Sequence, residues 1–228
     1  MPEAPPAAEL VFEDRLPVIR RYADLLAGPG TQRGLLGPRE VERIWDRHLL
    51  NCGVLAPAIA ARSTVCDVGS GAGLPGIVVA IARPDLRLTL LEPLLRRAEF
   101  LSEAVDVLEL SNVEVVRSRA EDHSGAYDVV TARAVAPLSR LARVALGLCR
   151  PGGSVLAMKG ERAAAELDEA RPELAKLGVV ESAIERLGEG LVPIPTTVVR
   201  LVAGEPKRRR PPGQGRNRRG GSGSARGV

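Results

Sequence analysis

Four glycines and a proline follow directly on a short apolar run. Thr64–Val68 leads into Gly69-Ser70-Gly71-Ala72-Gly73-Leu74-Pro75-Gly76, with Asp67 as the last acid before the turn. The pattern predicts a strand that turns sharply into a helix. Glycine lets backbone approach a ligand with no Cβ in the way, and the helix that follows presents the positive end of its dipole. A flat, polar, nucleoside-bearing ligand suits such a turn, and four glycines exceed what strand-to-helix packing alone needs. Gly71, Gly73 and Gly76 match the G-x-G-x-x-G fingerprint of dinucleotide sites. Glu92 ends the next apolar run, where a carboxylate accepts hydrogen bonds from a ribose diol. Dinucleotide and S-adenosyl-L-methionine (SAM) sites share that device. Two features favour SAM: an acid at Asp67 suits its cationic amino-acid end, and no His, Tyr-Lys or Cys constellation for a dehydrogenase follows the fifth strand-like run.

These residues need a scaffold. Runs at 64–68, 87–91, 113–116, 127–131 and 153–158 read as strands separated by helical patterns, the signature of a parallel α/β sheet. Between Pro93 and Leu110, the residues Leu94, Ala98, Leu101, Val105 and Leu108 form one apolar stripe, as on a crossover helix. Further helices are expected at Pro137–Leu148 and Glu161–Leu177, then strands at Val179–Leu187 and Thr196–Ala203. Residues 1–9 read as disordered. A helix is expected from Leu10 to Ala27, broken near Pro17 and ended by Gly28-Pro29-Gly30. Another opens at Pro38 with Val41, Ile44, Trp45, His48 and Leu49 on one face. The organisation expected is therefore residues 10–61 as helices packed on a core domain of 62–203, followed by a basic tail, 204–228.

The tail dominates the charge. Lys207, Arg208, Arg209, Arg210, Arg216, Arg218, Arg219 and Arg226 are eight of the 32 basic residues, which leaves the body with 24 bases against 27 acids. Rich in Gly, Pro and Arg, the tail has little to bury and reads as disordered, suited to a polyanion or to solubility alone. No apolar run approaches the roughly 20 residues that span a bilayer, and the start resembles no signal peptide, so a cytoplasmic protein is expected. Cys52, Cys66 and Cys149 lack metal-ligand spacing, so no metal is expected.

Several motifs occur together in a fixed order: Trp45-x-Arg47-His48-Leu49-Leu50-Asn51, Asp67 to Gly76, Leu90-Leu91-Glu92, Ser118-Arg119-Ala120-Glu121, Thr131-Ala132-Arg133-Ala134 and Met158-Lys159-Gly160. From about residue 16 to 203 the chain resembles the bacterial 16S ribosomal RNA guanine-N7 methyltransferase family RsmG, also called glucose-inhibited division protein B. The resemblance implies a class I SAM-dependent methyltransferase fold, a Rossmann-like α/β sheet of about seven strands with the last antiparallel, helices on both faces and N-terminal helices. It implies cofactor contacts at Gly69, Leu74, Ala120, Glu121 and Arg133; Asp67, Gly71, Gly73 and Glu92 are further candidates from the residues themselves. The substrate implied is one guanine in the decoding-region loop of 16S ribosomal RNA, free or in a small-subunit precursor. Asn51-Cys52 stands where Asp-Ser is common in the family, and Gly34-Leu35-Leu36-Gly37 replaces an Asn-Leu-Thr-like segment.

Guanine N7 carries an exposed lone pair, so no general acid or base is required and catalysis rests on positioning. Consistently, the Asp/Asn-Pro-Pro-aromatic loop of exocyclic-amine methyltransferases is absent after the fourth strand. Arg133 is the candidate for a dual role at cofactor and RNA, with Lys159 and Arg119 as weaker RNA candidates. His48, on the apolar face of its helix, reads as a buried hydrogen-bonded side chain, and Cys149, late in a helix, as core. With five aromatic residues, an aromatic stacking platform for single strands is not expected. A monomer is expected. The rival readings are an NAD-linked oxidoreductase and a noncatalytic RNA-binding protein that uses the tail.

Overall fold

The computed structural model describes residues 2–133 and 136–205. Seven strands, β1 (Thr64–Val68), β2 (Arg87–Leu91), β3 (Val113–Val116), β4 (Tyr127–Arg133), β5 (Cys149–Lys159), β6 (Val179–Leu187) and β7 (Thr196–Ala203), form one sheet. Its order is β3-β2-β1-β4-β5-β7-β6. β1 to β5 pair in parallel, while β7 runs antiparallel to both β5 and β6. The strand-like runs of the sequence correspond to these strands, because short apolar stretches bounded by glycine, proline and charge leave little freedom for a buried parallel strand.

Seven α-helices are described: α1 (Pro6–Phe12), α2 (Leu16–Leu25), α3 (Leu50–Gly53), α4 (Gly76–Ala82), α5 (Leu95–Leu108), α6 (Leu138–Leu148) and α7 (Ala163–Leu177). Alternate strand side chains face opposite layers. Val65, Leu88, Leu90, Val129, Leu156, Met158 and Val198 join the cluster that contains α1, α2, α4 and α5. Cys66, Val68, Leu91, Val130, Ala132, Val155 and Leu201 join α6 and α7 on the other face. The first cluster runs from Ala8 through the sheet to Val198, so the N-terminal helices share the core of the sheet.

The N-terminal segment departs from the sequence expectation in three places. Residues 1–9 read as disordered, yet α1 begins at Pro6, with Ala8 and Phe12 buried. Pro6 suits the first turn of a helix, and Gly53 lets α1 approach closely: a Cβ there would lie 2.6 Å from Val11 Cγ1 and 2.7 Å from Phe12 Cζ. Trp45 Nε1 also donates to the Pro2 carbonyl at 3.1 Å. The break expected near Pro17 falls instead at a 3-10 turn, Glu13–Arg15, and Pro17 lies in the opening turn of α2. Gly28-Pro29-Gly30 does not stop the chain but lies in a π turn, Leu26–Gly30.

The helix expected from Pro38 is wound as 3-10 over Pro38–Arg43 and as π over Ile44–Leu49. Ile44, Trp45 and Leu49 are buried as their spacing predicts. Periodicity selects which side chains turn inward and is insensitive to the local winding. The basic tail, residues 206–228, lies outside the described residues.

Candidate cofactor and acceptor site

Strand order reverses between β1 and β4, because β1 continues to β2 on one side while β4 starts the other half. Ligands of open α/β sheets bind in the crevice at the carboxyl ends of such strands. The glycine loop leaves β1 there, Glu92 follows β2, Ala120 and Glu121 form a 3-10 turn after β3, and Arg133 ends β4. Register fixes the levels: Asp67 pairs with Leu90 of β2 and with Thr131 of β4.

Within the loop the glycines have separate tasks. Gly69, Gly71 and Gly73 adopt φ of 69°, 59° and 91°, which side chains disfavour. A Cβ on Gly73 would lie 2.6 Å from Ile77 Cδ1 and 2.7 Å from the Tyr22 hydroxyl, and one on Gly76 would lie 2.6 Å from Asp67 Oδ2 and collide with Leu90. Gly73 and Gly76 therefore serve packing. A Cβ on Gly71 would meet only Gly69 O, at 3.8 Å, so this glycine faces the open side where a ligand can approach.

The loop also consumes its own donors. Gly69 N and Ser70 N donate to Leu91 O, Gly73 N and Leu74 N to Ser70 O, and Gly71 N to Glu92 Oε2 at 2.9 Å. The opening N–H of α4, on Gly76, donates to Asp67 Oδ2 at 3.0 Å. The free helix N-terminus expected from the sequence is thus capped from within. Glu92 is buried, and its Oε1 accepts from Leu94 N at 3.0 Å, so this carboxylate locks the loop to β2; a ribose diol would share its remaining lone pairs. Leu94 and Leu95, just beyond, are exposed apolar side chains that offer a flat ring a nonpolar cover.

Asp67 is fully buried, and burial pushes its carboxyl up to about 6. Its Oδ1 has no hydrogen-bond partner among the described residues. A buried anionic oxygen left without a donor is costly, and a cationic ligand at the loop lowers that cost. This orphan atom and the open side of Gly71 fit SAM. Leu74 is buried in the turn, Ala120 is half-buried, and Arg119 and Glu121 are exposed.

Arg133 is the electrostatic centre of the cleft. Its guanidinium is near enough to influence the ionisation of Tyr22, His48, Cys52 and Asp67. Nη1 donates to Arg47 O at 3.3 Å and to His48 Nδ1 at 3.1 Å. Lys159, expected as an RNA contact, is used elsewhere: Nζ donates to Ala136 O at 2.6 Å and to Glu166 Oε2 at 2.9 Å, and its side chain is 8% exposed. Glu166 also accepts from Leu138 N, so the pair fastens the start of α6 to the end of β5. A lysine at a strand end is free or paired according to what a distant helix brings, which sequence does not reveal.

No sequence motif marks Tyr22. Its hydroxyl donates to Ala72 O, so α2 clamps the glycine loop from outside the strand-loop-helix unit. An aromatic residue on an N-terminal helix gives no signal of this contact. Among the described residues no group of His, Cys, Asp and Glu could hold a metal ion, and no helix is long and apolar enough to cross a membrane.

A parallel sheet in this order with an antiparallel β7, a glycine loop at its switch point and a buried acid behind the loop make this chain a class I SAM-dependent methyltransferase. Solved structures agree on the fold. A putative S-adenosyl-L-methionine-dependent methyltransferase from Methanococcus maripaludis superposes with a TM-score of 0.56 at 13% identity, over 75% of this chain and 93% of that one. A SAM-dependent O-methyltransferase from Thermotoga maritima gives 0.53 at 12% identity, over 70% and 66%. Sequence comparison is more specific. The profile of the GidB family, rRNA small subunit methyltransferase G, matches residues 15–194. Ribosomal RNA small subunit methyltransferase G of Streptomyces avermitilis is 55% identical over 208 residues, 90% of this chain and 87% of its own. That of Thermobifida fusca is 57% identical over 198 residues, 86% and 84%. The chain belongs to the GidB family of small-subunit ribosomal RNA methyltransferases, and its cofactor is SAM.

Proposed function

We propose that the protein transfers the methyl group of SAM to N7 of one guanine in the decoding-region loop of 16S ribosomal RNA, and that it does so in the cytoplasm as a monomer. One observation carries the choice of acceptor atom: the described residues around the cleft include no poised base or nucleophile. Both ring nitrogens of His48 are engaged, and burial lowers its basicity. Burial raises the Tyr22 hydroxyl well above its ordinary value and the Cys52 thiol to about 11. Cys149 opens β5 at the opposite end of the sheet from the cleft, and burial pushes its thiol up to about 12, so it is neither the thiolate of a pyrimidine-C5 enzyme nor a base. Asp67 is enclosed and Glu92 is bonded through both oxygens. An acceptor that must lose a proton before attack has no partner here. Guanine N7 attacks with a lone pair it already has.

Bound SAM supplies an electrophilic methyl group on a sulfonium centre. The chain's residues hold the two reactants in line, a contribution of about 7–11 kcal/mol in well-aligned systems. Gly69 and Gly71 would admit the cofactor, Asp67 would balance its positive charge, Glu92 and Glu121 would accept from its ribose and adenine donors, and Leu74 and Ala120 would line its path. Arg133 would stand between cofactor and RNA, with Nε and Nη2 as donors for acceptors on either. Arg119 is exposed for a phosphate. Small subunits lacking the modification, incubated with protein and SAM, should gain 7-methylguanosine in the decoding region, read by nucleoside mass spectrometry. Methylation at another atom or in another region overturns the assignment, and calorimetric binding of NAD without SAM would remove the cofactor assignment as well.

A further inference from the structure

Arg133 reaches the cleft from a strand end, where a long side chain has many rotamers, yet here one of its nitrogens is tied down. Nη1 donates both to Arg47 O and to His48 Nδ1. Because Nδ1 accepts, the imidazole must carry its proton on Nε2, and Nε2 lies 3.0 Å from Glu40 Oε2. Glu40, on the 3-10 segment Pro38–Arg43, therefore selects the tautomer of His48, and His48 on the π segment Ile44–Leu49 selects the direction of Arg133 on β4. Glu40 is 33% exposed and His48 12%, and Arg133 is half-buried. Desolvation and the Arg133 charge both lower the basicity of His48 and keep it neutral, which is the state the arrangement needs.

We propose that Glu40 and His48 are positioning residues for Arg133, orienting Nε and Nη2, the edge of its guanidinium that no other described residue engages, toward cofactor and RNA. The proposal rests on the functional reading of Arg133 given above. Holding a guanidinium in one rotamer before substrate arrives removes an ordering cost at the moment of binding. The sequence segment 38–48 thereby contributes to the site without touching either substrate.

The test is a double-mutant cycle in the full-length protein, read as kcat/KM for methyl transfer to unmethylated small subunits, with each variant's unfolding midpoint measured alongside. In His48→Gln the amide can still meet Glu40 but leaves no acceptor at the Nδ1 position. His48→Asn keeps an oxygen there and gives up Glu40. Arg133→Ala and His48→Gln should each lower kcat/KM by about tenfold or more, and the double variant should fall no more than about twofold below the worse single one. His48→Asn should recover most of what His48→Gln loses. Equal losses in the two His48 variants, or losses that multiply with Arg133→Ala, would reduce His48 to packing and overturn the proposal. Undiminished activity in Arg133→Ala would instead overturn the reading of Arg133 itself. Where His48→Gln does not fold, Glu40→Ala carries the same cycle, and its loss must vanish in the Arg133→Ala background.

Discussion

The two carboxylate oxygens of Asp67 are in different situations. Oδ2 closes the first turn of α4, and Oδ1 is left buried without a donor. The folded-state value of about 6 lies above the roughly 3.9 of an unfolded aspartate, so between those pH values the native state holds more proton than the unfolded one. Stability of the ligand-free protein should therefore fall as pH rises from about 4 to about 6 and level off above. Asp67→Asn should flatten this dependence in thermal melts and leave the melting point near pH 7.5 unchanged or higher. The same variant should weaken SAM binding by about tenfold or more in calorimetry, since the compensating charge is gone. A variant that binds SAM normally would remove Asp67 from the cofactor site.

At the scale of elements, the strand-loop-helix unit is held by contacts a motif does not show. At Gly76 α4 packs tightly against β2 and β1: a Cβ there would collide with Leu90 and lie 2.6 Å from Asp67 Oδ2. Gly76→Ala should cost about 1–3 kcal/mol by overpacking, visible as a melting point several degrees lower with SAM affinity reduced. Lys159→Ala tests the other half of the sheet. It leaves Ala136 O and Glu166 without their shared cation, so stability should drop by about 1–3 kcal/mol. RNA affinity and its salt dependence should not change, because the ammonium is already spent inside the protein. A reduced salt slope in Lys159→Ala would return this residue to the RNA surface.

For the whole molecule, the body is mildly acidic while the segment from Gly204 onward carries eight bases against one acid. If the tail contributes counterion release, truncation after Glu205 should weaken RNA association and flatten its dependence on salt, while SAM affinity stays at the full-length value. Full RNA binding in the truncated protein would leave the tail a solubilising extension. Loss of all binding, with SAM dispensable, would favour the noncatalytic rival. The N-terminal segment belongs to the same scale: it shares one core with the sheet, clamps the glycine loop through Tyr22 and approaches Arg133 through His48. Cutting it away would expose that core, so the methyltransferase domain and its helical extension should melt as one unit.

The sequence by itself determined the strands, the glycine turn, the two buried faces of the sheet and the family, because these depend on local periodicity and on residue types at fixed spacing. It placed Asp67, Gly69, Gly71, Glu92 and Arg133 at strand ends that a parallel sheet gathers to one side. Only the tertiary structure decided which of those groups are free. Lys159 is neutralised by a glutamate on the following helix, α4 is capped by the acid of β1, and Arg133 is steered by a histidine 85 positions earlier in the chain. Such pairings join elements far apart in sequence, and no local pattern encodes them. They follow from which helices the packed core brings against each strand end.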